Sequence, residues 1–326
     1  MKRSMKLVAL ACVAALVFAF GLAACSSSSS KSDAAKTGLV ILYEKDDSLI
    51  NNYSLLAVNP AAPFVDADGN AVSDVKLNTV GAKAFIDWML SEGMDLAGKY
   101  GVKEYGEALF YIKDDAPRSK AEIPKATEET KTIRLSTTTS VNDSGLLGSI
   151  LPTFEEKYGY KVEIYSAGTG KAIANAKNGN ADVILVHAKA QEEAFIADGF
   201  SYVIDGMSAE RLNYMYNYFV ICGPAADPAG VKAAPNAKDA FKKIADGKYT
   251  FVSRGDKSGT HTKEISLWPE DLGITTEQES VANYTDWYVY SNAGMGACLT
   301  MAKEKEAYIL SDKATYLSFA ANQAKG

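Results

Sequence analysis

Ser136-Thr137-Thr138-Thr139-Ser140 sets five hydroxyl side chains in an unbroken row. The row follows a short apolar strand signal, Ile133 and Leu135, and leads toward a helix predicted to start near Gly145. Such a strand–helix junction suits an anion, because first-turn N–H groups lack intrahelical partners and the positive end of the helix dipole lies there. Hydroxyls add donors without adding charge. Asp143 is placed to cap that helix, and Pro152 falls early in it, where proline is tolerated.

Four further stretches have the same character. Ser166-Ala167-Gly168-Thr169-Gly170-Lys171-Ala172 leaves a strand signal and enters a helical pattern. Ser253-Arg254-Gly255-Asp256-Lys257-Ser258-Gly259-Thr260-His261 does the same and adds an arginine. Asn292-Ala293-Gly294-Met295-Gly296-Ala297 puts small residues at a helix start, where backbone N–H groups can approach a ligand. Ser311-Asp312-Lys313 ends a strand with a cation beside a helix start. Singly, a Ser or Thr ahead of a helix reads as an N-cap. Thr169-Gly170-Lys171 is not a P-loop: Tyr165 stands where the first glycine belongs, and Ala172 where a Ser or Thr is required. Arg254-Gly255-Asp256 is a chance occurrence of the adhesion tripeptide. Five such junctions in one chain point to the carboxyl ends of strands, where open α/β sheets bind ligands.

Catalysis is less well served. Ser258, Thr139 and His261 have hydroxyl and imidazole chemistry suited to a hydrolase or transferase. Yet the two histidines, His187 and His261, are 74 positions apart and have no evident orienting partners. His187 reads as a strand-end or structural residue and His261 as a capping one. Asp143 and Asp256 lie near the hydroxyl stretches, and Asp256 is suited to orienting Arg254 or capping a helix.

The elements that must position these residues alternate between strand and helix, which defines an α/β chain. Strands are predicted at Leu39–Tyr43, Ser54–Val58, Ile133–Leu135, Lys161–Tyr165, Val183–Val186, Phe219–Cys222, Thr250–Val252 and Ala307–Leu310. Helices are predicted at Val80–Ser91, Gly93–Tyr100, Leu146–Tyr158, Gly170–Asn178, Ala190–Asp198, Ala237–Ala245, Thr262–Trp268, Met295–Lys303 and Lys313–Ala320. Asp114–Lys131 has two prolines, many charges and few large apolar groups, and reads as a linker. Asn52-Tyr53-Ser54-Leu55-Leu56-Ala57-Val58-Asn59-Pro60 and Asn217-Tyr218-Phe219-Val220-Ile221-Cys222-Gly223-Pro224 echo each other, as a pair of strands crossing between two lobes would.

The first 24 residues read as a secretory signal, with Lys2, Arg3 and Lys6 ahead of the apolar run Leu7–Phe20. Leu22-Ala23-Ala24-Cys25 matches a bacterial lipobox, so Cys25 is expected to be lipidated, with residues 25–37 as a flexible polar tether. Loss of residues 1–24 removes three cationic residues and no acidic one, taking the net charge from −6 to −9. That balance argues against nucleic acid or an anionic membrane surface as partner, but not against a small anion met by local donors. With Cys25 lipidated, Cys222 and Cys298 are expected as buried free thiols, and no zinc-type spacing occurs.

Ser136–Leu147, Gly168–Ala172, Ala181–His187, Tyr216–Val220, Phe251–Glu264 and Gly294–Ala297 together resemble the substrate-binding lipoproteins of tungstate ABC importers. The Thr137–Ser140 and Ser253–His261 pieces are the most specific. The order differs. Residues 39–111, including Tyr53–Pro60, Ala84–Trp88 and Tyr105–Phe110, resemble that family's C-terminal part, yet here they come first. The resemblance therefore implies a two-lobed, class II-like periplasmic-binding-protein fold with two hinge strands, circularly permuted, in which 114–131 joins the family's usual ends. Lobe one is expected to hold 54–113 and 132–221, and lobe two 222–320 and 38–53. Permutation is tolerated where old ends are close and new ends fall in an exposed loop.

By the same resemblance the oxyanion sits between the lobes. Thr138, Thr139 and Thr169 hold it from one side. Arg254, Ser258, Thr260 and N–H groups near Gly296 hold it from the other. Ser140, Ser253 and Lys313 are further candidates, although lysine lacks the planar fork of arginine. Tungstate is the expected cargo, with no cofactor and no resident metal. Molybdate and phosphate remain alternatives, as does a surface sensor that binds no oxyanion. The implied partners are a permease with its ATPase, and the implied location is the extracytoplasmic face of the cell membrane. A monomer is expected.

Overall fold

A computed structural model describes residues 38–325. The secretory signal, the tether and Cys25 lie outside the described residues. In chain order the elements are β1 (Leu39–Tyr43), β2 (Ile50–Ala57), α1 (Thr79–Met89), α2 (Glu92–Ala97), α3 (Val102–Tyr105), β3 (Tyr111–Ile112), β4 (Thr132–Thr138), α4 (Thr139–Asp143), α5 (Leu146–Tyr158), β5 (Lys161–Ala167), α6 (Thr169–Lys177), β6 (Val183–Val186) and α7 (Lys189–Ala197). They continue with β7 (Leu212–Pro224), α8 (Ala237–Asp246), β8 (Phe251–Ser253), α9 (Gly259–Ile265), β9 (Tyr288–Tyr290), α10 (Met295–Glu304), β10 (Tyr308–Asp312) and α11 (Lys313–Lys325).

The strand order is β5-β4-β6-β2-β7-β10-β8-β9, with β1 and β3 also paired to β7. The long strand β7 joins two half-sheets. Its first part, Leu212–Tyr218, runs antiparallel to β2 and β3. Its second part, from Phe219, runs antiparallel to β10 and β1. Parallel strands flank this junction on both sides: β4 with β5 and β6, and β8 with β9 and β10.

Each half-sheet is covered on both faces, which makes two lobes. Phe85, Trp88, Leu147 and Phe154 pack one face of the first half-sheet, and Phe64, Ile173 and Phe195 the other. Phe241, Trp268 and Trp287 pack one face of the second, and Leu299, Met295 and Tyr316 the other. Two-sided burial explains why Val183–Val186 reads as an unbroken apolar run. Cys222 and Cys298 are free and buried.

The early part of the chain belongs to these same sheets. β2 lies between β6 and β7, so residues 38–113 share a sheet with 132–221. Residues 113–131 carry no helix or strand and lie along the first lobe. There the Ser119 N–H donates to Leu90 O at 3.0 Å and the Ala126 N–H to Tyr158 O at 2.8 Å.

Three local expectations change. The hydroxyl row does not meet the helix at Gly145. It runs straight into the short α4, and Gly145, at φ 83°, breaks the chain before α5. Asp143 ends α4 rather than capping α5, and Ser144 Oγ accepts from the Leu146 N–H at 3.3 Å instead. Pro152 lies well inside α5, where it withholds a hydrogen bond from the carbonyl one turn back.

Candidate anion-binding site

Thr138 ends β4 and forms the N-cap of α4 without a capping side-chain bond. Its Oγ1 lies 3.0 Å from Ser140 Oγ, which lies 3.0 Å from His187 Nε2. Between them Thr139 points toward the other lobe, where Arg254 Nη2 donates to Thr139 Oγ1 at 3.3 Å. Arg254 is 3% exposed and also donates to Asp256 Oδ2 at 2.5 Å. Asp256 Oδ1 accepts from the Ser258 N–H at 3.1 Å. One carboxylate thus holds the guanidinium and shapes the turn into α9.

The loops entering α6 and α9 also face each other. A Cβ built on Gly168 would stand 3.4 Å from Ser258 Cβ and 3.6 Å from Asp256 Oδ2. Gly259 is tighter still: a Cβ there would fall 2.4 Å from His187 Cε1, so a side chain at 259 would force the lobes apart. The loop before α10 is tied to the same point, with the Ala293 N–H donating to Arg254 O at 3.0 Å.

Several buried polar atoms here have no protein partner. They are Thr169 Oγ1, Thr260 Oγ1 and Arg254 Nε, with His187 Nδ1 beside them. Unpaired buried polar groups are costly and rare, and a cluster of them calls for a missing partner. All of the first three can donate. The N-termini of α6 and α10 add backbone N–H groups, since neither Gly168 nor Gly294 offers a capping side chain. Ser258 Oγ spends a lone pair on the His261 N–H at 3.3 Å and keeps its own proton free to donate. Donors dominate this crevice, which suits a ligand that only accepts.

Other titratable groups serve the frame. Burial, and then the nearby Arg254 charge, push the His187 pKa down to about 3, so its imidazole is neutral. Burial also raises the pKa of Asp312, which accepts from Tyr53 Oη at 3.0 Å, from Asn217 Nδ2 and from the Thr315 N–H at 3.1 Å. That network ties β2, β7 and β10 together beneath the crevice. Glu264 of α9 is pushed up to about 7 by burial, despite hydrogen bonds from Tyr288 and Trp268.

Of the sequence candidates, Thr138 and Ser140 share one set of hydrogen bonds and Thr139, Arg254 and Ser258 another, while Thr169 follows Gly168, which faces Ser258. Thr260 is buried one residue beyond Gly259. Ser253 is buried and accepts from the Gly255 N–H at 3.2 Å, a turn-forming role. Gly296 is exposed and borders open space. Lys313 is engaged by carboxylates. Its Nζ lies 2.8 Å from Glu44 and 2.7 Å from Glu107, so its charge is already balanced by two carboxylates. Burial opposes that charge, but the bonds to Glu107 and Glu44 outweigh it and raise the lysine pKa. His187 was not a sequence candidate for the site. Its place directly after the four-residue strand β6, at a carboxyl strand end, was the available signal.

Two lobes sharing a long strand, with a donor-lined crevice between them, define a two-lobed ligand-binding protein. The chain belongs to the PBP superfamily, whose domain matches residues 125–326. It is 46% identical over 205 residues to "Tungstate-binding protein TupA" of Peptoclostridium acidaminophilum, covering 62% of this chain and 66% of that protein. It is 44% identical over 189 residues to "Putative ABC transporter anion-binding protein" of Haloferax volcanii, covering 58% of this chain and 51% of that one. "Tungstate-binding protein TupA" of Campylobacter jejuni is 37% identical over 184 residues, covering 56% and 63%. The chain thus spans from about half to just under two thirds of these relatives' lengths. Among solved structures, that of the tungstate ABC transporter from Geobacter sulfurreducens matches at 45% identity and TM-score 0.48, covering 58% of this chain and 75% of that one.

Proposed function

We propose that this chain is the extracytoplasmic substrate-binding component of an ABC importer, and that it carries a tetrahedral oxyanion, tungstate, between its lobes. It binds and releases the ion unchanged and is not an enzyme. The observation that carries this reading is the set of buried donors without partners, Thr169 Oγ1, Thr260 Oγ1 and Arg254 Nε, in a crevice closed by the Arg254–Thr139 bond. The printed names of the relatives in Peptoclostridium and Campylobacter support tungstate as the cargo.

Tungstate and molybdate are dianions at neutral pH whose oxygens only accept hydrogen bonds. Phosphate often carries a proton and gains from an acceptor. Two carboxylates lie near Arg254: Asp256, engaged by Arg254 and the Ser258 N–H, and Asp143, whose pKa burial raises against the pull of the Arg254 charge. Hydrogen bonds to charged groups contribute about 1.5–3 kcal/mol each, before the cost of desolvating the ion. Seven or so such donors therefore bring the roughly 12 kcal/mol of a nanomolar complex within reach. Hinge closure would exclude water and strengthen each contact.

The wider assignment follows the sequence resemblance. A lipid on Cys25 holds a monomer at the membrane, where it delivers its ion to a permease and its ATPase. The chain is circularly permuted, with 114–131 as the junction. Two observations support this: β2 shares its sheet with β6 and β7, and Tyr316 Oη near the far end donates to Leu39 O at 2.9 Å. Calorimetric titration of residues 25–326 with tungstate, molybdate, sulfate and phosphate tests the function. Binding of tungstate far below millimolar is expected. Failure of all four ions to bind tighter than about millimolar, a free energy near −4 kcal/mol, would remove the transport reading.

A further inference from the structure

His187 touches no obvious ligand position, yet it sits at the root of the hydroxyl row. Its Nε2 meets Ser140 Oγ at 3.0 Å, and Ser140 Oγ meets Thr138 Oγ1 at 3.0 Å. Its ring is packed against Tyr53 and Phe219, with centroids 5.0 and 6.3 Å away, and against Gly259 of the opposite lobe. Nδ1 is buried and unpartnered. The imidazole is therefore fixed in place and has one proton to give.

Three groups in a chain with two links can run in two directions, or can meet at Ser140. In one direction, Nε2–H donates to Ser140, Ser140 donates to Thr138, and the Thr138 proton is left facing outward. In the other, Thr138 donates to Ser140, Ser140 donates to Nε2, and an oxygen lone pair of Thr138 faces outward. Where the links meet at Ser140, its oxygen accepts from both neighbours while its own proton turns to Tyr53 Oη beside it, and a Thr138 lone pair again faces outward. The second direction puts the imidazole proton on Nδ1, as a buried N–H with no acceptor. Orphaned buried N–H groups are rarer than under-satisfied acceptors. It also turns a lone pair, as the meeting at Ser140 does, toward a ligand that carries only lone pairs.

We propose that His187 is a positioning residue that donates through Nε2 to Ser140 and so aims the Thr138 hydroxyl proton at the bound oxyanion. This rests on the oxyanion reading given above and deepens it. The relay makes the site select against protonated oxyanions. Hydrogen phosphate needs an acceptor somewhere, and obtaining it from Thr138 means turning the Thr138 proton back onto Ser140, which breaks the relay.

The test compares tungstate and phosphate affinities, by calorimetry, for the wild-type protein, His187→Phe and His187→Gln. His187→Phe should weaken tungstate by about tenfold or more, the size of one lost hydrogen bond to a charged group, and phosphate by less than about threefold. The tungstate-to-phosphate ratio therefore shrinks. His187→Gln, whose amide N–H can still donate to Ser140, should bring tungstate back to within about threefold of wild type. A general structural defect would weaken both ions alike and would not be rescued. Independently of either variant, nitrogen NMR of the tungstate-saturated wild type should place the imidazole proton on Nε2. Absence of any oxyanion binding by the wild type overturns the cargo reading and the relay together. Wild-type binding with an unchanged ratio in His187→Phe, or a proton found on Nδ1, overturns the relay alone.

Discussion

Arg254 and Thr139 are 115 positions apart and belong to different lobes, yet Arg254 Nη2 donates to Thr139 Oγ1 at 3.3 Å. The bond spans the crevice, and Asp256 holds the same guanidinium from behind. Arg254→Ala should weaken tungstate binding by at least about 1.5 kcal/mol, roughly tenfold, as expected for a hydrogen bond to a charged group. Arg254→Lys should recover only part of this, because a point charge replaces a planar fork. Calorimetry of the two variants checks both statements, and an unchanged affinity in Arg254→Ala would take the residue out of the site.

The unpaired hydroxyls permit a sharper separation of binding from stability. Thr169→Val and Thr260→Val keep the shape and replace a buried, partnerless oxygen with a methyl group. The ligand-free protein should melt at the same temperature or higher, since a desolvation penalty is removed. Tungstate affinity should fall by about 1.5–3 kcal/mol. A lowered melting point with unchanged affinity would mean that these hydroxyls serve the fold instead.

Lys313 is expected to behave in the opposite way to Arg254. Lys313→Met leaves Glu44 and Glu107 without their shared cation. Both carboxylates are about a third exposed, so the stability loss should stay modest, on the order of 1 kcal/mol. Oxyanion affinity should change by less than about threefold, under 1 kcal/mol. An affinity loss as large as that of Arg254→Ala would restore Lys313 to the anion's contacts.

Glu264 gives the second lobe a pH signature. Burial first, against hydrogen bonds from Tyr288 and Trp268, raises its pKa from 4.5 to about 7. Between those values the folded protein holds a proton on Glu264 that the unfolded chain has lost, so this residue's contribution to stability falls as pH rises through the window and levels off above it. Glu264→Gln should flatten the slope, by up to about 3 kcal/mol between pH 4.5 and 8. Urea unfolding of both proteins across that range would reveal it, and equal slopes would place the titration elsewhere. His187 acts in the opposite sense. Its depression from 6.5 to about 3 leaves the unfolded chain alone to take up a proton below about pH 6.5, so its contribution to stability rises with pH up to that point. Both proteins share it, so the Glu264 effect is read from the difference between their slopes.

The permutation is tested by undoing it. A chain that begins near Lys131, joins the far end of α11 to Leu39 by a short linker and ends near Asp114 should fold and keep tungstate affinity within about threefold. Lys303 stands between the two ends to be joined: its Cγ lies 3.7 Å from a Cβ built on Gly38, and its Nζ donates to Gln323 Oε1 at 3.1 Å. Collapse of the rearranged chain into insoluble material would count against the proposed junction.

Much of this was legible in the sequence because the signals were local. Val183–Val186 is apolar at every position because both its faces are covered, and it was read with the bounds observed. Ser258 marks the start of α9, although the helix begins at Gly259 rather than Thr262 because the serine caps it directly. The full extent of β7 was not legible. Leu212–Tyr218 mixes asparagine and tyrosine among its apolar residues, since some of its side chains face the crevice and its buried network. The Lys313 ion pairs and the His187–Ser140 bond were hidden for a different reason: they depend on which distant segments meet, and no spacing along the chain records that. The hydroxyl stretches were visible because each carries its own strand–helix junction.

The claim on which the rest depends is that donors from both lobes converge on one tetrahedral dianion. Anomalous diffraction at a tungsten absorption edge, from crystals grown with tungstate, tests it most directly. A single strong peak is expected between the lobes, within hydrogen-bonding reach of Thr139, Thr169, Ser258, Thr260 and Arg254. A peak bound elsewhere on the surface, or none despite saturating tungstate, would contradict it.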